Sequence, residues 1–207
     1  MKVIYLTDVG FDTPNSNNHL ANSLIEGLLS EGIDVHLIQS CTTKINDEIP
    51  SNLLNRSGFT YSNIQKKIVS KTAFVSRYIE GVKYAYKAKN KWKKVNVDLI
   101  IVQSSPTVFY HIRLLKKYFK KPIIYSVFDI FPGCAYEMGI IKIKSISNIF
   151  KWIQRKAYKY SDVIIGISDD MRTKLIQEGV NEDKIKTIVT WYDDGIVSEV
   201  PAWKHVI

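Results

Sequence analysis

The stretch 98-DLIIVQSSPTVFYHIRLLKKYFKKPIIYSVFDIFPG-133 carries one pattern twice. An apolar run, LIIV, ends in Gln103, Ser104, Ser105 and Pro106, and helical spacing follows over 107–119. A second apolar run, IIYSV, then ends at Asp129, Pro132 and Gly133. Runs that are apolar at consecutive positions belong to strands buried on both faces, the condition of a parallel sheet covered by helices. Asp129 stands where such a strand should end, between Phe128 and Ile130. A carboxylate there is either fastened by neighbouring backbone or held at a site where chemistry happens.

The same alternation extends in both directions. Strands are expected at 2–7 (KVIYLT), 34–39 (DVHLIQ), 98–103, 122–127, 162–167 (DVIIGI) and 184–189 (KIKTIV). Leu20, Leu24 and Leu28 recur at helical spacing, and Gly32 supplies a stop. Residues 40–60, rich in Ser, Thr, Asn and Asp, read as an exposed loop; 62–94 read as one long or two shorter helices. Further helices are expected at 146–160 and 169–178. Strand and helix in alternation predict an α/β fold, a Rossmann-like doubly wound parallel sheet flanked by helices. In such sheets ligands bind beyond the carboxyl ends of the strands. Thr7 to Gly10, Gln103 to Pro106, Phe128 to Gly133 and Ser168 to Asp170 are those ends, so topology predicts that they share one rim.

The 207 residues, 45% apolar and 24% charged, fit one soluble domain with a core of its own. A net charge of +9 points to an anionic partner: phosphate groups, nucleic acid or an acidic membrane surface. Most of the cations are lysines, with arginine at 56, 77, 113, 155 and 172. Lysine acts as a point charge where arginine gives bidentate recognition, so diffuse attraction is favoured over base-specific contact. A coding bias towards lysine explains the same composition equally well. Cys41 and Cys134 lie far apart with no metal-ligand spacing around them, which predicts a reducing compartment and no metal. The opening MKVIYLTDVG reads as a first strand because Asp8 interrupts the apolar run a signal peptide needs. No apolar stretch approaches the roughly 20 residues that span a bilayer. A cytoplasmic location is expected.

In order and spacing, Ser105–Pro106, Lys121–Pro122 and Asp129–Pro132 resemble the acceptor-side half of bacterial GT-B glycosyltransferases of family 4, the O-antigen, capsule and exopolysaccharide type. The later YSDVIIGISDDMRTKLIQEGVNEDKIKTIVTWYDD is similar to that family's segment before its interdomain linker. The resemblance covers nearly the whole chain. It departs at the first loop, where the family's Gly pair is replaced by Gly10 and FDTPNSNNH, and at Thr190, where the family often has Asn. Asn tolerates left-handed backbone, so 15-NSNN-18 is a candidate for the same turn.

The resemblance implies residues 1–190 as an N-terminal Rossmann-like domain, 191–207 as linker or tail, and a nucleotide-sugar-binding domain absent from the chain. It implies a retaining, metal-independent transferase that moves a sugar from a nucleotide-diphosphate donor, a co-substrate and not a cofactor, to a lipid-linked glycan. The half alone is expected to be inactive. Asp129 is the candidate catalytic base; its alternative is to accept backbone N–H groups from the Pro132–Gly133 turn. Gly10, Asn17, His19, Ser105, Pro106, Glu137 and Ser168 are candidates for the acceptor cleft. His19 opens the first helix and so stands near its anion-favouring end, or else simply faces solvent or caps the helix. Ser104, Ser105 and Ser168 are also candidate helix caps, Glu137 a candidate surface residue, and His36 structural.

Two basic stretches form a separate constellation. In 83-KYAYKAKNKWKK-94, lysines interleave with Tyr84, Tyr86 and Trp92, which suits an anionic membrane surface through Lys87, Lys89, Lys91, Trp92, Lys93 and Lys94. In 140–160 a mixture is expected, with Phe150 and Ile153 inward and lysines outward. The expected place is therefore the cytoplasmic membrane, peripherally. The expected partners are a lipid-linked acceptor and a donor-binding domain or separate subunit. Two rivals stay open. One is a non-catalytic membrane-docking subunit that recruits a donor-binding polypeptide. The other is a nucleic-acid-binding protein, disfavoured because no RNP-like or Gly-rich phosphate motif is present.

Overall fold

The computed structural model describes residues 1–13, 17–42, 49–67, 69, 73–93, 95–137, 139 and 143–190, apart from the side chains of Cys134 and Glu137. Seven strands are present in chain order: β1 (Lys2–Leu6), β2 (Asp34–Cys41), β3 (Phe59–Gln65), β4 (Leu99–Gln103), β5 (Ile123–Val127), β6 (Val163–Gly166) and β7 (Ile185–Thr187). They pair in parallel throughout, in the spatial order β3-β2-β1-β4-β5-β6-β7. The chain therefore builds outward from β1 in one direction, then returns across the sheet to β4 and builds in the other. Because crossovers are right-handed, that reversal sends the later helices to the opposite face.

Two cores record it. On one face α1 (Asn18–Ser30) and the short α2 (Ser51–Leu54) pack Ala21, Ile25 and Leu53 on Val3, Tyr5, Val35 and Leu37. On the other, α3 (Phe74–Trp92), α4 (Val108–Phe119), α6 (Lys144–Tyr160) and α7 (Asp169–Gln177) pack on Ile4, Leu6, Ile100, Val102 and Tyr125. Successive strand residues thus enter different cores, which is why the strands read as unbroken apolar runs. A short α5 (Gly133–Glu137) follows the β5 tip, after a cis Phe131–Pro132 peptide. Among the described residues no helix is long and apolar enough to cross a membrane.

Two expectations are corrected. Residues 59–65 are a strand, not loop and helix. β3 is the sheet edge; it pairs with β2 alone and exposes Thr60, Tyr61 and Gln65, so it lacks the apolar run that marks an interior strand. Asn17 has φ −93° and ψ −6°, right-handed backbone, so it makes no left-handed turn; residues 15 and 16 lie outside the described residues. The stop at Gly32 is as the residue type requires: φ is +72°, and Gly32 and Ile33 donate back to Leu29 and Leu28.

Candidate functional site

The carboxyl ends of β1, β4, β5 and β6 are neighbours in one parallel sheet, so Gly10, Ser105, Asp129 and Ser168 follow strand tips along a single rim. The reversal in strand order falls between β1 and β4, where a crevice opens in sheets of this kind. An open depression of about 310 Å³ lies on this rim, lined by Asn17, His19, Leu20, Phe128, Asp129, Ile167 and Thr190. Three sequence candidates from two distant segments meet there: Asn17 and His19 at the start of α1, and Asp129 after β5. A larger hollow lined by Asp169, Arg172 and Glu182 lies beside β7 at the sheet edge, away from the strand reversal.

Asp129 is exposed, and no hydrogen bond or ion pair joins its carboxylate to another described residue. The expected anchoring of the Pro132–Gly133 turn by this side chain is not made. The loop is held instead from β4: the Phe128 N–H donates to Ser104 Oγ at 3.1 Å, and Ser104 N–H donates to the Ser126 carbonyl at 2.8 Å. Ser104 therefore positions the Asp129 loop and caps no helix, a correction to its expected role. Phe131, two residues on, packs its ring 5.4 Å from Phe150 of α6. A fastened loop with an unfastened carboxylate at its crest is the arrangement a base requires.

Other candidates fall into different roles. Gly10 is buried, and a Cβ there would lie within 2.0 Å of the Ser40 carbonyl oxygen; its glycine is required by β2. Ser168 caps α7 as expected, accepting from Met171 N–H at 3.1 Å, with Asp169 and Asp170 in the favourable first turn. Ser105 caps nothing through its side chain; its Oγ is buried without a hydrogen-bond partner among the described residues. Pro106 is exposed on the rim. Glu137 ends α5, and its side chain lies outside the description. His36 is structural, with Thr60 and Ser62 hydroxyls at 2.8 and 3.1 Å from its ring nitrogens. Phe128, Ile167 and Leu20 were missed as lining residues because an apolar side chain at a strand tip or helix start looks like core in sequence.

Behind the rim is a polar layer that the sequence did not reveal. Asp8 pairs with Lys66 at 2.8 Å, and the Tyr84 hydroxyl donates to the Thr7 carbonyl at 2.7 Å. Burial pushes the Asp8 carboxyl up, while Lys66 and Arg77 pull it down. His111 is buried beside Tyr84, with ring centres 5.0 Å apart. Burial, with Lys66 adding to it, pushes the His111 pKa down to about 3.

The lysine-rich stretch on α3 is corrected in its aromatic part. Trp92 is 1% exposed and packs on Tyr118 and Phe119, and Tyr84 is equally buried, so their rings serve the core. Lys87, Lys91 and Lys93 are exposed and Lys89 is half-buried; Lys94 lies outside the described residues.

A seven-stranded parallel sheet with this order and a depression at its strand tips is a Rossmann-like unit of the kind that forms one half of a GT-B fold. Residues 18–194 match Glycosyltransferase Family 4, and the chain belongs to that family. Among solved structures it is similar to Anabaena HepE in complex with UDP and glucose, at 13% identity and a TM-score of 0.63, covering 98% of this chain and 47% of that one. It is also similar to sucrose-phosphate synthase from Thermosynechococcus elongatus, at 13% identity and a TM-score of 0.60, covering 91% and 47%. A third likeness, to UDP-GlcNAc 2-epimerase from Methanocaldococcus jannaschii, has 17% identity and a TM-score of 0.59, covering 90% and 45%. The chain thus spans about half the length of these structures. No curated protein matches it in sequence.

Proposed function

We propose that this chain is the acceptor-binding half of a retaining glycosyltransferase that moves a sugar from a nucleotide-diphosphate donor to a lipid-linked glycan in surface polysaccharide synthesis. Its place is the cytoplasmic face of the membrane, bound peripherally. The donor is held mainly by a second domain or subunit, and without that half the chain turns over little or nothing. The observation that carries the reading is the meeting of Asn17, His19 and the uncommitted Asp129 in one depression at the sheet's rim, in a member of family 4.

In the reaction, the bond from the anomeric carbon to the donor diphosphate breaks through an oxocarbenium-like state, and the acceptor hydroxyl oxygen bonds to that carbon on the face the diphosphate leaves, as retention requires. Asp129 takes the hydroxyl proton, and the nucleoside diphosphate leaves with the electron pair. His19 and Asn17, at the start of α1, line the same space and orient the acceptor beside the helix's positive end. Ser104 acts at one remove, as a positioning residue, through its bond to Phe128.

The test is sugar transfer by the protein together with a family 4 donor-binding half, supplied with nucleotide-diphosphate sugars and a polyprenyl-diphosphate-linked acceptor. Asp129→Asn lowers kcat by about 10² to 10⁴, the usual worth of a general base, with acceptor KM and melting near those of wild type. Undiminished turnover in a folded Asp129→Asn protein removes the base assignment. Failure of every donor and acceptor pair removes the transfer reading itself.

A further inference from the structure

We infer that the outer face of α6 is a docking surface for an anionic lipid bilayer. The inference deepens the membrane-peripheral reading above and rests on it for the nature of the acceptor; the surface itself stands on exposure and charge.

α6 turns Ser147, Gln154, Ala157 and Tyr158 inward, and Gln154 Nε2 donates to the Tyr125 hydroxyl at 2.8 Å, which fixes the helix's rotation on the sheet. That rotation leaves Ile146 at 41%, Ile149 at 59% and Trp152 at 60% exposure, with Ile143 just before the helix at 56%. At about 100° per residue, Ile146, Ile149 and Trp152 span an arc of about 120°. Single exposed apolar residues are ordinary, but a contiguous set on one helix face marks a contact surface.

The charge on the helix selects the occupant. Lys144 to Tyr160 contains no Asp or Glu and carries Lys144, Lys151, Arg155, Lys156 and Lys159. Glu178 engages two of these, at 3.5 Å from Lys151 and 3.8 Å from Arg155. Lys144, Lys156 and Lys159 have no acidic partner among the described residues. The Lys156 ammonium lies 4.9 Å from the centre of the Trp152 ring, so an indole and a cation share one spot. That pairing suits a headgroup layer, where the ring enters the interface and the ammonium meets phosphate. Protein interfaces, by contrast, are depleted in lysine at their centres.

The position of the face fits as well. α6 follows the Asp129 loop and the short α5 in the chain, and its Phe150 packs on Phe131 of that loop. Docking through the first turns of α6 therefore holds the rim close to the bilayer, where a lipid-linked acceptor stays. The sequence pointed more strongly to 83–94, but Tyr84 and Trp92 there face the core.

The experiment measures partition of the full chain onto vesicles, without donor or acceptor. One set is phosphatidylcholine with a third phosphatidylglycerol; the other is phosphatidylcholine alone. The variants are Ile146→Ser/Ile149→Ser/Trp152→Ala, Lys144→Gln/Lys156→Gln/Lys159→Gln, and a control on α3, Lys87→Gln/Lys91→Gln. Each is taken forward only with a wild-type melt. Both α6 variants are expected to bind anionic vesicles at least tenfold more weakly, the control to stay within about twofold, and wild type to prefer anionic over neutral vesicles. Wild-type affinity in the Ile146/Ile149/Trp152 variant, or equal binding to neutral vesicles, overturns the inference. So does a wild-type dimer that this variant converts to monomer without any lipid binding, which assigns the face to a second copy. Turnover on a water-soluble acceptor is spared by the α6 changes and lost in Asp129→Asn, so failure of docking and failure of the transfer reading are told apart.

Discussion

Replacing His111 with Leu should flatten the protein's loss of stability in mild acid. The ring is 1% exposed, packs against Tyr84, and has no hydrogen-bond partner at either nitrogen among the described residues. Its pKa is pushed down to about 3, by burial first and then by the Lys66 charge, so it stays neutral in the fold. In the unfolded chain it takes up a proton near pH 6.5. Its contribution is therefore complete above that value and is lost as pH falls towards 3. From pH 7 to pH 5 this loss amounts to about 2 kcal/mol, at 1.36 kcal/mol per unit of pKa difference. Leucine has a similar volume, takes no proton and leaves no unpaired nitrogen. His111→Leu should match or exceed wild type at pH 7 and fall by about 2 kcal/mol less on going to pH 5. Urea unfolding at pH 7, 6 and 5, followed by circular dichroism, reads the difference. Asp8, raised by burial, titrates in the opposite sense, but it is present in both proteins and cancels. Parallel declines in the two proteins refute a neutral buried imidazole. A large loss at pH 7 refutes the absence of a partner.

Other outcomes follow from packing and from the rim. Trp92→Ala, in the core, should cost about 3–5 kcal/mol, whereas Trp152→Ala on the outer face of α6 should stay within about 0.5 kcal/mol; comparable melting shifts in the two would contradict their burial. Gly10→Ala forces a methyl group onto the Ser40 carbonyl, 2.0 Å away, and should destabilise by about 1–3 kcal/mol as the β1 and β2 tips separate. An unchanged melt would show that the loop yields freely. His36 is held neutral by burial, with Lys2 adding to it, at a pKa of about 4, so His36→Gln should also reduce the acid-side decline between pH 6.5 and 4. An undiminished decline in that variant rules the assignment out.

What the sequence made legible was the interior. β1, β2 and β4 are buried on both faces, and β5 and β6 are buried on one and half-covered on the other, so their runs are largely apolar without a polar alternation, and that pattern has few other readings. β3 escaped because an edge strand satisfies half its backbone with solvent and needs no such run. Asn17, His19 and Asp129 were legible for a topological reason: in a parallel sheet covered by helices, the turn after a strand and the start of the helix that follows it stand on the rim. The rest of the depression was not, since Phe128 and Ile167 differ from core residues only in what lies opposite them. His111 and the Asp8–Lys66 pair were equally invisible. The contacts that bury them join residues 58 positions apart for the ion pair, and nothing local in the sequence registers that. Trp92 and Trp152 show the same limit from the other side. Each is an aromatic among lysines on a helix, yet one is core and the other exposed, because rotation about a helix axis is set by partners such as Gln154 and Tyr125.

Asp129 differs from the carboxylates nearest to it in kind. Asp8 and Asp12 follow the β1 tip as Asp129 follows that of β5, and both are occupied. Asp8 binds Lys66, and Asp12 accepts from Thr42 through its backbone N–H and, at 2.8 Å, its hydroxyl. Those bonds close the β1 loop against β2 and β3, so the two carboxylates serve the fold. Around Asp129 the equivalent fastening is done by neutral groups, the Ser104 hydroxyl and the Ser126 carbonyl, which would hold the loop equally well with any residue at 129. A structural requirement therefore does not account for an acid there, and the depression it shares with His19 gives the charge something to act on. A loss of stability in Asp129→Ala as large as that in Asp12→Ala would show that the fold uses the carboxylate after all.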